Sequence, residues 1–296
     1  MKNALIFAAA ILSLNAMAQE NVISFKLGSF TVSTLSEGQQ NGKTSILIDA
    51  PRDILEKYAP DGTCPGGTNA FLIRTPDKTV LVDTGLGKNL FKNLETLGVA
   101  PESVEAILVT HMHGDHTGGM LKEGKPAFPN AEVYIARAEY DYWTSDEQMN
   151  LAPEGRRSTF LQAKAVAEAY KTKLHLFTPA VPCDKPTALF EGVGALDAHG
   201  HTPGHTAYLI ESEGAMLMII GDLIHCVSVQ MPHPEIAVSY DSDPKQAIAV
   251  RKQFFDYVAY NGIRMAGMHI PFPGTGRLSF RDAGFSFSPL CSCEGF

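Results

Sequence analysis

Basic charge is in deficit. The 296-residue chain has 24 Lys+Arg against 32 Asp+Glu, a formal net charge of −8. General nucleic-acid binding needs a basic footprint, so no nucleic-acid partner is expected. Low-complexity tracts and internal repeats are missing. Hydrophobic residues make up 45% of the chain, which excludes a disordered or fibrous protein. No apolar run reaches the roughly 20 residues that a bilayer-spanning helix needs, so no membrane anchor is expected. Tryptophan occurs once, at Trp143, where core packing is the expected role beside Tyr142. Cysteine is sparse: Cys64, Cys183, Cys226, Cys291 and Cys293. Their odd number leaves at least one unpaired within the chain. Cys226 reads as a buried small hydrophobe. The pairing of Cys64 with Cys183 and the role of Cys291/Cys293 stay open.

What is present begins with a leader. Lys2 supplies a positive start, residues 4–12 are apolar, and Ala16-Met17-Ala18 is a small-x-small cleavage site. The expectation is a signal peptide cleaved after Ala18, a single domain over residues 19–296, and a periplasmic or secreted location. Export permits disulfides. Short apolar runs at 22–27, 30–35, 71–74, 80–82, 106–109, 133–136, 207–210 and 216–220 read as strands. Helical spacing appears at 88–97 and 158–170. A further helix opens on Asp243-Pro244, an N-cap followed by proline at the first helical position, and stops near Gly262. Strands and helices alternate, which predicts an α/β protein with helices outside and sheet inside. Residues 36–68 are polar and rich in Gly and Pro, with one short helical patch near Arg52–Tyr58, and read as a long lid loop.

Histidine is where the chemistry concentrates. The segment Thr110-His111-Met112-His113-Gly114-Asp115-His116 follows a buried strand. Imidazole nitrogen and carboxylate oxygen are ligands that zinc accepts. On an extended segment residues i and i+2 point the same way, so His111 and His113 converge. Gly114 allows a turn that redirects Asp115 and His116. Six residues cannot complete two coordination shells. Candidates at other strand ends are His199-Gly200-His201-Thr202-Pro203-Gly204-His205, then Gly221-Asp222 and His269. His175, His199 and His233 read as ordinary surface histidines. His225, three residues after Asp222, is either a substrate contact or a turn stabiliser.

Taken together these motifs resemble the metallo-β-lactamase-fold superfamily. The likeness covers the His-x-His-x-Asp-His segment, the G-H-T-P-G-H-T block, Gly221-Asp222, His269 and Val82-Asp83-Thr84-Gly85. The resemblance implies a four-layer αββα sandwich with a binuclear site at the edge of two sheets. It implies that His111, His113 and His205 hold one divalent ion, zinc by expectation. Asp115, His116 and His269 would hold the other, with Asp222 bridging and Asp115 and Asp222 catalytic. Asp83 and His201 would orient ligands, and Phe272 would form a pocket wall. The segments 221–225 and 268–274 resemble the methyl parathion hydrolase branch. The implied activity is hydrolysis of a lactone, ester or phosphotriester by a metal-bridging hydroxide. A glyoxalase-type thioesterase or weak β-lactamase activity is the alternative. The expected partner is a small-molecule substrate, and the resemblance implies a homodimer.

Overall fold

The computed structural model describes residues 21–290. The leader expected at residues 1–18 and the Cys291/Cys293 pair lie outside these. Strands gather into two seven-stranded sheets. The first contains β1 (Val22–Leu27), β2 (Phe30–Lys43), β3 (Thr63–Arg74), β4 (Thr79–Val82) and β5 (Ala106–Leu108). A small ribbon of β6 (Leu121–Lys122) and β7 (Lys125–Pro126) intervenes before β8 (Glu132–Ala136) and β9 (Leu174–Phe177) complete that sheet. Its order is β1-β2-β3-β4-β5-β8-β9. The second sheet holds β10 (Thr187–Phe190), β11 (Val193–Asp197), β12 (Thr206–Ser212), β13 (Ala215–Ile219), β14 (Arg264–Ala266), β15 (Thr275–Arg281) and β16 (Gly284–Pro289), in chain order. The helices are α1 (Arg52–Tyr58), α2 (Leu90–Thr96), α3 (Gly114–Thr117), α4 (Arg137–Thr144), α5 (Asp146–Leu151), α6 (Arg157–Ala169), α7 (Val227–Gln230) and α8 (Pro244–Asn261).

Alternation along the strands explains the layers. In β3, Phe71 and Ile73 face one way and Ala70 and Leu72 the other. The first pair joins Val80, Val82 and Leu108 against Tyr208, Ile210, Leu217 and Ile219 of the second sheet. That layer is the interface between the sheets. The other face of the first sheet packs with Leu94 of α2, Trp143 of α4 and Phe160 and Val166 of α6. The outer face of the second sheet, with Met218 and Met265, is covered by Val250, Phe254, Phe255 and Val258 of α8. Each such fully buried side chain stabilises by about 1.5–3 kcal/mol. The result is the four-layer αββα sandwich that the motifs imply. Helix α8 begins as expected: the Asp243 side chain accepts from Gln246 N, and Gly262 ends it at φ 62°.

Two expectations are corrected. Residues 36–68 are not a lid loop. β2 and β3 continue as a long antiparallel ribbon, pairing from Thr31↔Arg74 to Lys43↔Thr63 with a register shift between Ser36 and Gly38. Only the segment around α1 connects them. Cys226 is not a free hydrophobe, and Cys64 does not pair with Cys183. Cys64 and Cys226 form a disulfide across 162 residues, while Cys183 is exposed and free.

Candidate metal centre

The parallel strands converge on one end of the sandwich. Register aligns β4 with β5, β5 with β8, and β13 with β14 in parallel. The chain leaves β4 at Asp83, β5 at His111, β13 at Asp222 and β14 at His269. Their C-terminal ends form a common rim, where α/β sheets bind ligands. The two sheets are stitched there. Thr206 N donates to Thr110 O at 2.9 Å, and the Tyr208 hydroxyl donates to Val109 O at 2.8 Å.

At this rim His111, His113, His201 and Asp222 each bring one ligand-type atom within 4.8 Å of the others. His111 Nε2 is 3.0 Å from His113 Nδ1, and His201 Nε2 is 3.2 Å from the same atom. Asp115, His116 and His269 form a second group, and Asp222, His225 and His269 a third. Asp222 joins them. Its Oδ2 is 3.3 Å from His201 Nε2 and 3.1 Å from His269 Nε2, and its Oδ1 is 3.2 Å from His116 Nε2.

The roles expected for His201 and His205 are exchanged. His205 is not a ligand, because both of its ring nitrogens are committed. Nδ1 donates to Ala198 O at 2.9 Å, and Nε2 accepts the Asp222 backbone N–H at 3.0 Å. A Cβ on Gly221 would stand 2.2 Å from that Nε2, so only glycine admits the ring there. Burial holds His205 in the neutral form, with a pKa of about 4. His201 occupies the ligand position instead. Its Nδ1 donates to Asp241 Oδ1 at 2.9 Å, leaving Nε2 for the centre.

Each ligand is aimed by a partner. Asp83, expected as an orienting group, receives His116 Nδ1 at 2.6 Å. It also accepts Thr110 N at 2.8 Å and Thr110 Oγ1 at 2.6 Å. His269 Nδ1 donates to Gly67 O at 2.9 Å. Such contacts fix tautomer and ring orientation. Three buried groups escaped the sequence reading. Glu139 accepts from Met112 N, Trp143 Nε1, Thr202 Oγ1 and Gly204 N at 2.7–2.9 Å, clamping both histidine loops together. Asp241 aims His201. Arg251 of α8 donates to Pro234 O and Ile236 O at 2.8 Å, holding the segment that carries Asp241. Nothing local marks these residues, since their partners are distant in the chain.

Does this set suit metal ions? His116 Nε2 and Asp222 Oδ1 are buried without a hydrogen-bond partner, and both face the cluster. Such orphans are costly unless a cation meets them. Burial, aided by His116, holds His111 well below its ordinary pKa, and burial takes His113 down to about 3. These imidazoles therefore stay neutral, as ligands must. At His116 and His269 burial is the largest single influence and opposes charge, but the surrounding carboxylates, Asp222 first and then Asp115, together outweigh it. His116 is raised well above its ordinary value and His269 to about 9. The carboxylates demand positive charge at this spot. The residues fit two divalent cations.

Around the centre lies a cavity of about 640 Å³. His225 lines it, with Nε2 3.2 Å from Asp222 Oδ2 and its ring stacked on His269 at 4.8 Å. Trp143 is fully buried and packs its ring 5.3 Å from His113. Phe272 does not line this cavity, contrary to expectation; its backbone N–H donates to Gln39 Oε1 at 2.9 Å. His175, His199 and His233 pair with surface carboxylates away from the centre.

Comparison with known proteins points to a family. The family model described as metallo-beta-lactamase superfamily matches residues 65–260. An N-acyl homoserine lactonase of Bacillus cereus is 25% identical over 210 residues, covering 60% of this chain and 74% of the relative. Among solved structures, hydrolase AbOPH of the beta lactamase superfamily has a TM-score of 0.81 and 29% identity, covering 92% of this chain and 98% of that one. AidC, a dizinc quorum-quenching lactonase in complex with a homoserine product, has a TM-score of 0.83 and 28% identity, with the same coverage of 92% and 98%.

Proposed function

The chain belongs to the metallo-beta-lactamase superfamily, and from that membership we propose that it is an exported dizinc hydrolase that opens lactones. The observation that carries this reading is the doubled ligand set around Asp222, in a chain related over most of its length to a dizinc lactonase. When bound, the two ions supply a nucleophile at neutral pH and polarise the oxygen of the scissile group. His111, His113 and His201 would hold one ion, Asp115, His116 and His269 the other, and Asp222 both.

The chain's own groups do the rest. Burial opposes ionisation of Asp115, but His116 and His269 outweigh it and lower its pKa. Asp115 is therefore a carboxylate at neutral pH. Its side chain is 35% exposed, open to the cavity. It takes a proton at a carboxylate oxygen and returns it to the departing alkoxide, as general acid–base work requires. His205 and Gly221 set the backbone at Asp222. Export is supported by the leader at residues 1–18 and by the Cys64–Cys226 bond, which needs an oxidising compartment.

A second reading, phosphotriester hydrolysis, draws on the resemblance of segments 221–225 and 268–274 to the methyl parathion hydrolase branch. A hydrolysis panel on the zinc-loaded protein separates the two. It compares small γ-lactones with and without a ring carboxylate, acyl-homoserine lactones, aryl esters, paraoxon and nitrocefin by kcat/KM. Lactones are expected to rank first, and a phosphotriester or β-lactam in first place overturns the proposal. Asp222→Ala is expected to lose more than the roughly 100-fold that removal of a supporting residue costs.

A further inference from the structure

The wall of the cavity is unevenly charged. Two side-chain cations line it, Lys43 at the end of β2 and Arg156 just before α6. The carboxylates on the wall are Asp115 and Asp222, both already committed to the metal cluster. Among the described residues neither Lys43 nor Arg156 makes an ion pair. Arg156 Nη2 donates to Tyr240 O at 3.2 Å, which anchors one arm of the guanidinium. The other donors of that planar fork remain available, and the fork matches a carboxylate.

The rest of the wall mixes polar Gln40, Thr159 and Ser239 with Ile46 and the Tyr240 ring. What distinguishes it is the two cations, whose attraction for an anion grows where water is excluded.

Building on the lactonase reading, we infer that the substrate is a small lactone carrying a free carboxylate away from the bond that breaks, and that Arg156 and Lys43 bind this carboxylate. Hydrolysis adds one water. The acyl carbon–ring oxygen bond breaks, the acyl carbon gains a hydroxyl and the ring oxygen gains a proton. The product is a hydroxy-diacid.

The test uses the zinc-loaded protein with a γ-lactone bearing a ring carboxylate and with its carboxamide counterpart. The scissile bond is the same in both. The carboxylate form is expected to be preferred about tenfold or more in kcat/KM, carried mainly in KM, as for one charge-assisted contact. The preference is expected to shrink as salt rises, to approach parity in R156Q, to recover in part in R156K and to fall less in K43Q. A carboxamide turned over as well as the carboxylate overturns this inference and leaves the lactonase reading standing. An unchanged preference in R156Q overturns the assignment to Arg156. Turnover of aryl esters or phosphotriesters without turnover of any lactone overturns both.

Discussion

His201 and His205 sit four residues apart in one segment, yet they do different work. His201 presents Nε2 to the cluster and anchors Nδ1 on Asp241, whereas His205 spends both nitrogens on backbone groups. Spacing cannot separate them, because both lie between the same two strands and both are buried. The discriminating signals are remote: Asp241, forty residues on, and the bare Cα of Gly221. The two variants are expected to differ. His201→Ala loses one of two zinc equivalents when metal content is measured after dialysis. His205→Ala keeps both at saturating zinc but binds them about 10–100-fold more weakly, as for other groups that support a ligand. Equal metal content and affinity in the two variants would reverse this assignment.

At the scale of elements, the β2–β3 ribbon and the turn after β13 build the cavity together. The ribbon carries Gly67, which receives His269, and Cys64 three residues before it. The turn carries Asp222, His225 and Cys226. The disulfide joins the two where hydrophobic support is thin, among Leu47, Ala59, Val229 and Val238. The ribbon reads as loop in sequence because residues 39–41 are exposed polar side chains with no alternating apolar face. Its hydrogen bonds come from the partner strand instead. Constraining so long a loop of chain restricts the unfolded state most. The Cys64→Ala/Cys226→Ala protein is expected to lose about 2–4 kcal/mol of stability, with a lower Tm than the oxidised parent. Strong reductant should bring the parent toward the variant, and a parent Tm indifferent to reductant would show that the bond is not formed.

For the molecule as a whole, the buried cluster couples folding to metal and to pH. His116 and His269 have raised pKa values when metal-free, the latter about 9, against roughly 6.5 unfolded. Their protonation stabilises the metal-free fold fully below about pH 6.5 and is lost as pH rises through their raised pKa values, about 9 for His269. His111, His113, His201 and His205 have lowered pKa values and act oppositely, costing stability as pH falls below about 6.5. Zinc replaces the protons on His116 and His269, so its binding competes with them and tightens as pH rises. The rise in Tm on adding zinc is therefore expected to be larger near pH 9 than near pH 7, read from melts with and without chelator. A zinc-induced shift that shrinks with rising pH would contradict this electrostatic account.

The sequence by itself determined the alternation of strands and helices and the ligand types. Apolar alternation along strands and caps on helices act over a few residues, and so does the convergence of His111 and His113 on an extended segment. These are local consequences of backbone geometry, legible without a fold. Tertiary structure alone decided which histidine of the His201/His205 pair faces the centre. It also decided that Cys64 meets Cys226, and that Glu139, Asp241 and Arg251 hold the loops in place. Those outcomes depend on groups tens to hundreds of residues apart being pressed together in a water-poor interior. There every donor, acceptor and charge must find a partner, and no spacing in the chain announces which one it will be.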